Sequence, residues 1–323
     1  MAAVRRSTSL GATIVAALFG FICASEAVWA ASPAYGAAYF QWEDGPDSAG
    51  LVLLPMVGPE AKVALPAGLP ADFSILASSP DGKAIYGHSP ANGLAPQFDK
   101  WPGIIKIEFN PARQSIVPGS IGLSGISSLT LSQSDSRIFV STLTRSLRGE
   151  VDCGDFEIDP NAGSSRPLQT GRTGRYAHCG GAISPDGKRR FLYTNKDVGL
   201  SIADLDTGEA HPVGAGLDRA TWSPDGRWIA AVLTRSGNSS IVLIDVTDLS
   251  RRRNLGSGEG PLVWSPDSKY LLAPKSQLSC MFTLYGESLQ IINVESGKRI
   301  QIKSSHCRIA GGRYFWMSPN VVR

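Results

Sequence analysis

The chain has 323 residues, 42% hydrophobic and 18% charged, with 31 basic residues against 28 acidic ones. That length can bury a large core. A net charge of +3 is too slight a bias for a nucleic-acid-binding or acidic-membrane surface.

Residues 1–30 differ from the rest. Arg5 and Arg6 make a basic start, the stretch from Leu10 to Ala24 carries no charge, and a mostly small-residue segment ends at Val28-Trp29-Ala30. This is the order of a secretory signal peptide. The apolar run falls short of the roughly 20 residues that a spanning helix needs. Cleavage after Ala30 is expected, leaving 29 basic and 27 acidic residues and no stable membrane span. The export route, Sec or twin-arginine, stays open, because large apolar residues are missing just behind Arg5-Arg6. Cys23 fits a lipidation site poorly, since Ile22 before it is bulky. The mature chain, residues 31–323, is expected to be periplasmic or secreted.

That part is built on a repeat. Ser79-Pro80-Asp81-Gly82-Lys83 recurs as Ser184-Pro185-Asp186-Gly187-Lys188, Ser223-Pro224-Asp225-Gly226-Arg227 and Ser265-Pro266-Asp267-Ser268-Lys269. A degraded copy is Ser132-Gln133-Ser134-Asp135-Ser136-Arg137, and a last one Ser318-Pro319-Asn320. Their second residues stand 53, 52, 39, 42 and 53 apart, a spacing of propeller-blade size once insertions are allowed for. Proline presets a tight turn, aspartate bonds nearby amides and glycine accepts positive φ, so each phrase predicts a hairpin turn.

The flanks agree. Short apolar stretches such as Ala220-Thr221-Trp222 and Tyr314-Phe315-Trp316 precede the turns, and strands such as Trp228 to Leu233 follow. Third strands are predicted at Gly103–Phe109, Asp155–Ile158, Leu200–Asp204, Ser240–Asp245 and Leu289–Asn293, and short fourth strands close the units. Four strands per repeat make a blade, and no amphipathic helix is predicted after residue 30. The last repeat stops after one strand, while the mature N-terminus opens with Ala38–Trp42, Leu51–Leu54 and Lys62–Leu65. Joining the two completes a blade and removes the open edges. The expectation is an all-β, six-bladed propeller whose last blade is closed by N-terminal strands.

Four cysteines remain after cleavage: Cys153, Cys179, Cys280 and Cys307. An even count in an exported chain predicts two disulfides. Three pairings are possible. Repeat equivalence singles out 153 with 179 and 280 with 307, each loop contributing about 3 kcal/mol in the chain-entropy model. No nucleophile elbow, zinc-protease helix, phosphate loop or calcium loop is present, and Gly256–Gly260 reads as a linker between blades. Of the four histidines, His178 and His306 each stand beside a cysteine, shortly before a first strand. His211 reads as exposed, and His88 as a loop residue. Trp222, Trp264 and Trp316 read as a repeated core residue, and Arg251-Arg252-Arg253 as a solvated basic run.

The phrase W-S-P-D-G with a following basic residue and an aliphatic strand resembles the TolB-like propeller repeat, also called the WD40-like PD40 repeat. Trp222–Arg227 and Trp264–Lys269 carry the likeness most closely, Ile183–Lys188 and Ser78–Lys83 without the tryptophan. The resemblance covers residues 36–323 and implies a six-bladed propeller, usually exported or periplasmic in bacteria. TolB carries an additional α/β domain before its propeller, and related peptidases an α/β-hydrolase domain after it. Neither is expected here, so a specific activity does not follow from the resemblance.

The function expected is a non-enzymatic, monomeric binding scaffold for a protein or another cell-envelope component, with no cofactor and no nucleic acid. Three long excursions, Ser89–Gly103, Thr142–Gly154 and Pro274–Glu287, are the candidate contact loops, since loops on a rigid scaffold commonly carry function. Phe98, Lys100, Trp101, Met281, Phe282 and Tyr285 are the candidate contacts within them, with His178 and His306 beside the channel. The alternative is a lactonase-type propeller hydrolase holding a metal in the central channel. It would need converging Asp, Glu, Asn or His side chains on the first strands, where Asp218 and Glu259 are expected to stand just outside.

Overall fold

The repeated phrase closes on itself. The Ser79 hydroxyl donates to Asp81 Oδ1 at 2.6 Å and accepts from the Ala84 amide at 2.9 Å, while Asp81 Oδ1 also accepts from the Lys83 amide at 3.0 Å. The Gly82 amide returns to the Ser79 carbonyl at 2.9 Å. The same serine–aspartate lock recurs at Ser184, Ser223 and Ser265. Gly82, Gly187 and Gly226 sit at φ near +70°, and Ser268 and Ser136 hold the equivalent place at +60°. Burial raises the Asp81 and Asp186 carboxyls. The serine hydroxyl and backbone donors outweigh it, so both end below the usual carboxylate range.

The structure, a computed structural model, describes residues 36–42, 49–54, 61–66, 69, 73–89, 103–109, 111–123, 125–145, 151–168, 181–194, 199–274, 288–303 and 314–318. They belong to one compact unit, Tyr35–Arg323. Among these residues no helix is long and apolar enough to cross a membrane. The expected signal segment, residues 1–30, lies outside them.

Among the described residues twenty-three strands form six sheets, five of them consecutive antiparallel meanders and the sixth joining the last strand to the first three. Three strands near the N-terminus come first: β1 (Gly36–Trp42), β2 (Ala49–Leu54) and β3 (Ala61–Ala64). The first blade is β4 (Ser74–Ser78), β5 (Ala84–His88), β6 (Ile105–Glu108) and β7 (Arg113–Ile116). The second is β8 (Ile126–Leu131), β9 (Ile138–Arg145), β10 (Val151–Asp159) and β11 (Ser164–Pro167). The third has β12 (Arg189–Thr194), β13 (Gly199–Asp204) and β14 (Ala210–Ala215), with its innermost strand reduced to one bridge between Ile183 and Arg190. The fourth is β15 (Leu217–Trp222), β16 (Trp228–Arg235), β17 (Asn238–Asp245) and β18 (Arg252–Ser257). The fifth is β19 (Val263–Trp264), β20 (Tyr270–Pro274), β21 (Ser288–Asn293) and β22 (Arg299–Lys303). Finally β23 (Tyr314–Met317) pairs with β1, Ala37 opposite Trp316, so the chain's two ends share the closing blade. The all-β propeller expected from the repeat is the fold observed.

The core lies between neighbouring blades. Phe191, Leu200 and Ile202 of the third blade cluster with Trp222, Ile229 and Ala231 of the fourth. Trp222, Trp264 and Trp316 are buried, and each indole N–H donates to an inner-strand carbonyl of the preceding blade. The acceptors are Ala182 at 2.9 Å, Thr221 at 3.3 Å and Val263 at 3.1 Å. Trp316 makes the equivalent bond from one residue further back, because Met317 stands between it and Ser318.

Four expectations are corrected. The excursion Thr142–Gly154 is largely β-structure: β9 and β10 extend past the predicted strand and pair from Ile138–Ile158 out to Arg145–Val151. His88 is not in a loop; it is the buried last residue of β5. Asp218 lies within β15 rather than outside it. The run Arg251-Arg252-Arg253 is not simply solvated. Arg252 donates to the Val213 carbonyl of the third blade and Arg253 to the Val294 and Glu295 carbonyls of the fifth, while Arg251, the outward-facing member of the run, lies 3.8 Å from the Asp245 carboxylate. An arginine on an outermost strand is long enough to reach the blade beside it.

Candidate functional site

The strand ends opposite the Ser-Pro-Asp-Gly turns define one rim. The connections β5–β6, β9–β10 and β20–β21 leave from it, as do β11–β12 and β22–β23. By sequence these carry every candidate contact: Phe98, Lys100 and Trp101; Met281, Phe282 and Tyr285; His178; and His306. All eight lie outside the described residues, as do Cys179, Cys280 and Cys307. The backbone of Cys153 is in β10 opposite Leu143 of β9. Of the run Gly256–Gly260, Gly256 and Ser257 end β18, paired with Ile241 and Ser240, and only Gly258–Gly260 lead on toward β19, with a cis peptide bond between Gly260 and Pro261. His211 is more than half exposed, 3.8 Å from Glu209.

Among the described residues, cavities open on the turn face. One, of about 200 Å³, is the end of the central channel. Pro80, Pro185, Pro224 and Pro266 of the phrases line it, together with leucines of β4 and β8 and edges of Trp222 and Trp264. Gln133 stands where the degraded second phrase lacks its proline. Its Nε2 donates to the Pro266 carbonyl at 2.7 Å, reaching from the second blade to the fifth across the channel end.

A second cavity, about 660 Å³, lies between the first and second blades. Tyr86 and Leu131 supply its apolar wall and Lys83, Lys106, Glu108 and Arg113 its charges. Glu108 takes Lys106 at 2.8 Å and Arg113 at 2.5 Å, and these two donors hold its carboxyl below the usual range. Burial pushes the Tyr86 phenol up.

A third cluster is buried between the second and third blades. Arg190 meets Asp155 Oδ2 at 2.6 Å, with both side chains at most 5% exposed. The Ser141 hydroxyl donates to Asp155 Oδ1 at 2.7 Å and lies 3.0 Å from the Gly181 carbonyl. The carboxylate is thus bonded on both oxygens, as a buried charge must be. It opens onto no described cavity, and its work is to join two blades.

No protein-family model matches the chain, and no curated protein matches it by sequence. Solved structures do. TolB from Acinetobacter baumannii superposes with a TM-score of 0.59 at 17% identity, over 91% of this chain and 71% of that one. The fold is a TolB-like β-propeller. A chain assigned as TolB from Agrobacterium tumefaciens aligns at 15% identity, TM-score 0.50, over 88% of this chain and 96% of that one. Oligogalacturonate lyase from Vibrio parahaemolyticus aligns at 10% identity, TM-score 0.52, over 84% and 80%. One propeller scaffold therefore underlies both a TolB and a lyase, and function has to be argued from the surfaces of this chain.

The described channel end is lined mainly by apolar side chains, with Ser78, Thr130, Gln133 and Thr221 among them. Among the described residues, no three His, Cys, Asp or Glu side chains come close enough to share a metal ion. Asp218 points to solvent, more than half exposed and 3.8 Å from Arg219.

Proposed function

We propose that the protein is an exported, non-enzymatic propeller that binds a protein or another cell-envelope component in the periplasm or outside the cell. The composition of the channel wall supports this reading most directly. At the turn end of the channel, leucine, alanine, threonine and tryptophan of the inner strands line the wall where a channel hydrolase would need converging oxygen and nitrogen ligands. The signal-like segment ending at Ala30 supports export, and the even cysteine count supports an oxidising compartment with two disulfides. The aromatic-rich connections β5–β6 and β20–β21 leave from one rim, the arrangement of a contact face built on a rigid scaffold.

The test is cross-linking in intact cells followed by purification of the chain. The wild type should yield a defined adduct, and a variant carrying Phe98→Ala, Trp101→Ala, Phe282→Ala and Tyr285→Ala should lose it while keeping its thermal transition. An adduct unchanged in that variant would remove the rim from the reading. Stoichiometric metal in the purified protein, with hydrolysis of a lactone, would replace the scaffold by the hydrolase.

A further inference from the structure

The groove between the first two blades lies where the repeat departs from its own pattern. In the third blade, Phe191 stands seven residues after Ser184; in the fourth, Trp222 stands just before Ser223. These rings stack with centroids 4.4 Å apart and planes 4° apart. The corresponding positions at the first interface are Tyr86, seven residues after Ser79, and Leu131, just before Ser132. The lower ring of the stack is present and the upper one is replaced by leucine. The next turn residue also changes, proline becoming Gln133, whose side chain is drawn away to Pro266. Leu131 and Gln133 both line the 660 Å³ cavity beside Tyr86, a volume within the range of about 300–1,000 Å³ typical of ligand pockets.

Its polar groups are only partly paired. The Tyr86 hydroxyl has no hydrogen-bond partner among the described residues. Lys106 and Arg113 share the single carboxylate of Glu108, and Lys83, also in the lining, makes no salt bridge among the described residues, its charge acting on Asp81 from further off. Asp81, the other acid in the wall, is held by the Ser79 hydroxyl and the Lys83 amide. An aromatic face with an unbonded hydroxyl is thus bordered by an excess of positive charge.

We propose that this groove binds an aromatic ring that carries or adjoins a carboxylate, the ring stacking on Tyr86 in the place the repeat elsewhere gives to its own tryptophan. The carboxylate lies against Lys83, Lys106 and Arg113. The site is on the turn face, opposite the rim, and stands whether or not the rim binds a partner. A free aromatic acid and an aromatic residue beside an acidic one in a peptide present the same chemistry.

Ligand-observed NMR on the purified full chain tests this, with indole-3-acetate and N-acetyl-Trp-Glu amide as probes. Indole and acetate are the controls. At least one probe should bind, and indole or acetate alone should be about tenfold weaker or worse, as expected when one charged contact or one stacking contact is removed. The stronger probe identifies the source. Leu131→Trp, which restores the repeat, should abolish binding and raise Tm. Tyr86→Leu should weaken it about tenfold. Lys106→Gln, a surface change that keeps the fold even where Leu131→Trp does not, should selectively weaken the carboxylate-bearing probes. Binding of neither probe, or equal binding by wild type, Tyr86→Leu and Lys106→Gln, overturns the proposal.

Discussion

The interface between the third and fourth blades and that between the first and second are the same joint built twice. In one, Trp222 covers Phe191 and bonds back to Ala182, with Arg189 5.9 Å above its ring. In the other, Leu131 faces Tyr86, Tyr86 stays part-exposed, and a 660 Å³ groove remains. The position before the phrase serine is tryptophan at the closed joint and leucine at the open one. A repeat fold carries its stability as a series of neighbour contacts, so a single joint can be loosened without opening the ring.

Two substitutions would break this contrast most forcefully. Trp222→Ala removes a buried, stacked and hydrogen-bonded ring and is expected to cost about 3–5 kcal/mol in denaturant unfolding. Leu131→Ala, at the half-buried place of the looser joint, should cost no more than about half as much. Equal costs would mean that the first interface is as closely packed as the third. The second-to-third interface supplies the other large effect. Asp155→Ala strands Arg190 without its carboxylate in the interior and is expected to cost about 3–5 kcal/mol. Lys106→Ala in the exposed pair of the groove should cost less than about 1 kcal/mol.

The first contrast was half legible in the sequence. The phrase and its spacing carry local turn chemistry, which acts within five residues, so the hairpins, the blades and the shared closing blade follow from it. Which blade each tryptophan covers is a contact across some 40 residues, and no spacing rule predicts it. The groove left a trace, because the phrase that loses its proline also lacks the preceding tryptophan, but volume is a property of two blades at once. Arg252 and Arg253 read as a charge run because sequence shows the guanidinium and not the neighbouring carbonyls. The buried Asp155–Arg190 pair left no pattern at all.

Smaller effects should come from the turns. Gly226 sits at φ +71° with open space where a Cβ would be, so Gly226→Ala costs only the backbone term, about 1–2 kcal/mol. Gly187 sits at +72°, and its Cβ would come within 2.4 Å of the buried Phe139 ring. Phe139 occupies in the second blade the place that Tyr86 has in the first, and the third blade's turn covers it. Gly187→Ala should therefore cost clearly more than Gly226→Ala in the same unfolding assay. Comparable losses would show that the turn does not press on the ring, and the covered and uncovered aromatics would then differ less than their surroundings suggest.

The smallest effect is the dependence on acid, and it compares the second-to-third joint with the first-to-second. The Asp186 carboxyl sits in the turn that covers Phe139, and the Asp81 carboxyl in the turn that borders the groove. Burial raises both, and the donors that hold the turn lower both further, leaving each below the ordinary aspartate value of 3.8. A depressed folded-state value contributes stability that is fully present above that ordinary value and is lost as pH falls through the folded one. Tm should be level from pH 7 to about 5 with respect to these groups and fall below about 4. Asp186→Asn keeps the acceptor oxygen but removes the charge, so it should flatten part of that fall and leave Tm at neutral pH lower. Asp81→Asn should flatten it less, because the Lys83 side chain supports Asp81 by charge alone, whereas Arg189 acts on Asp186 by both charge and hydrogen bond. If the two variants flatten the acid limb equally, the turn beside the groove is as tightly held as the turn over Phe139, and the looseness of the first joint is confined to the Leu131 side.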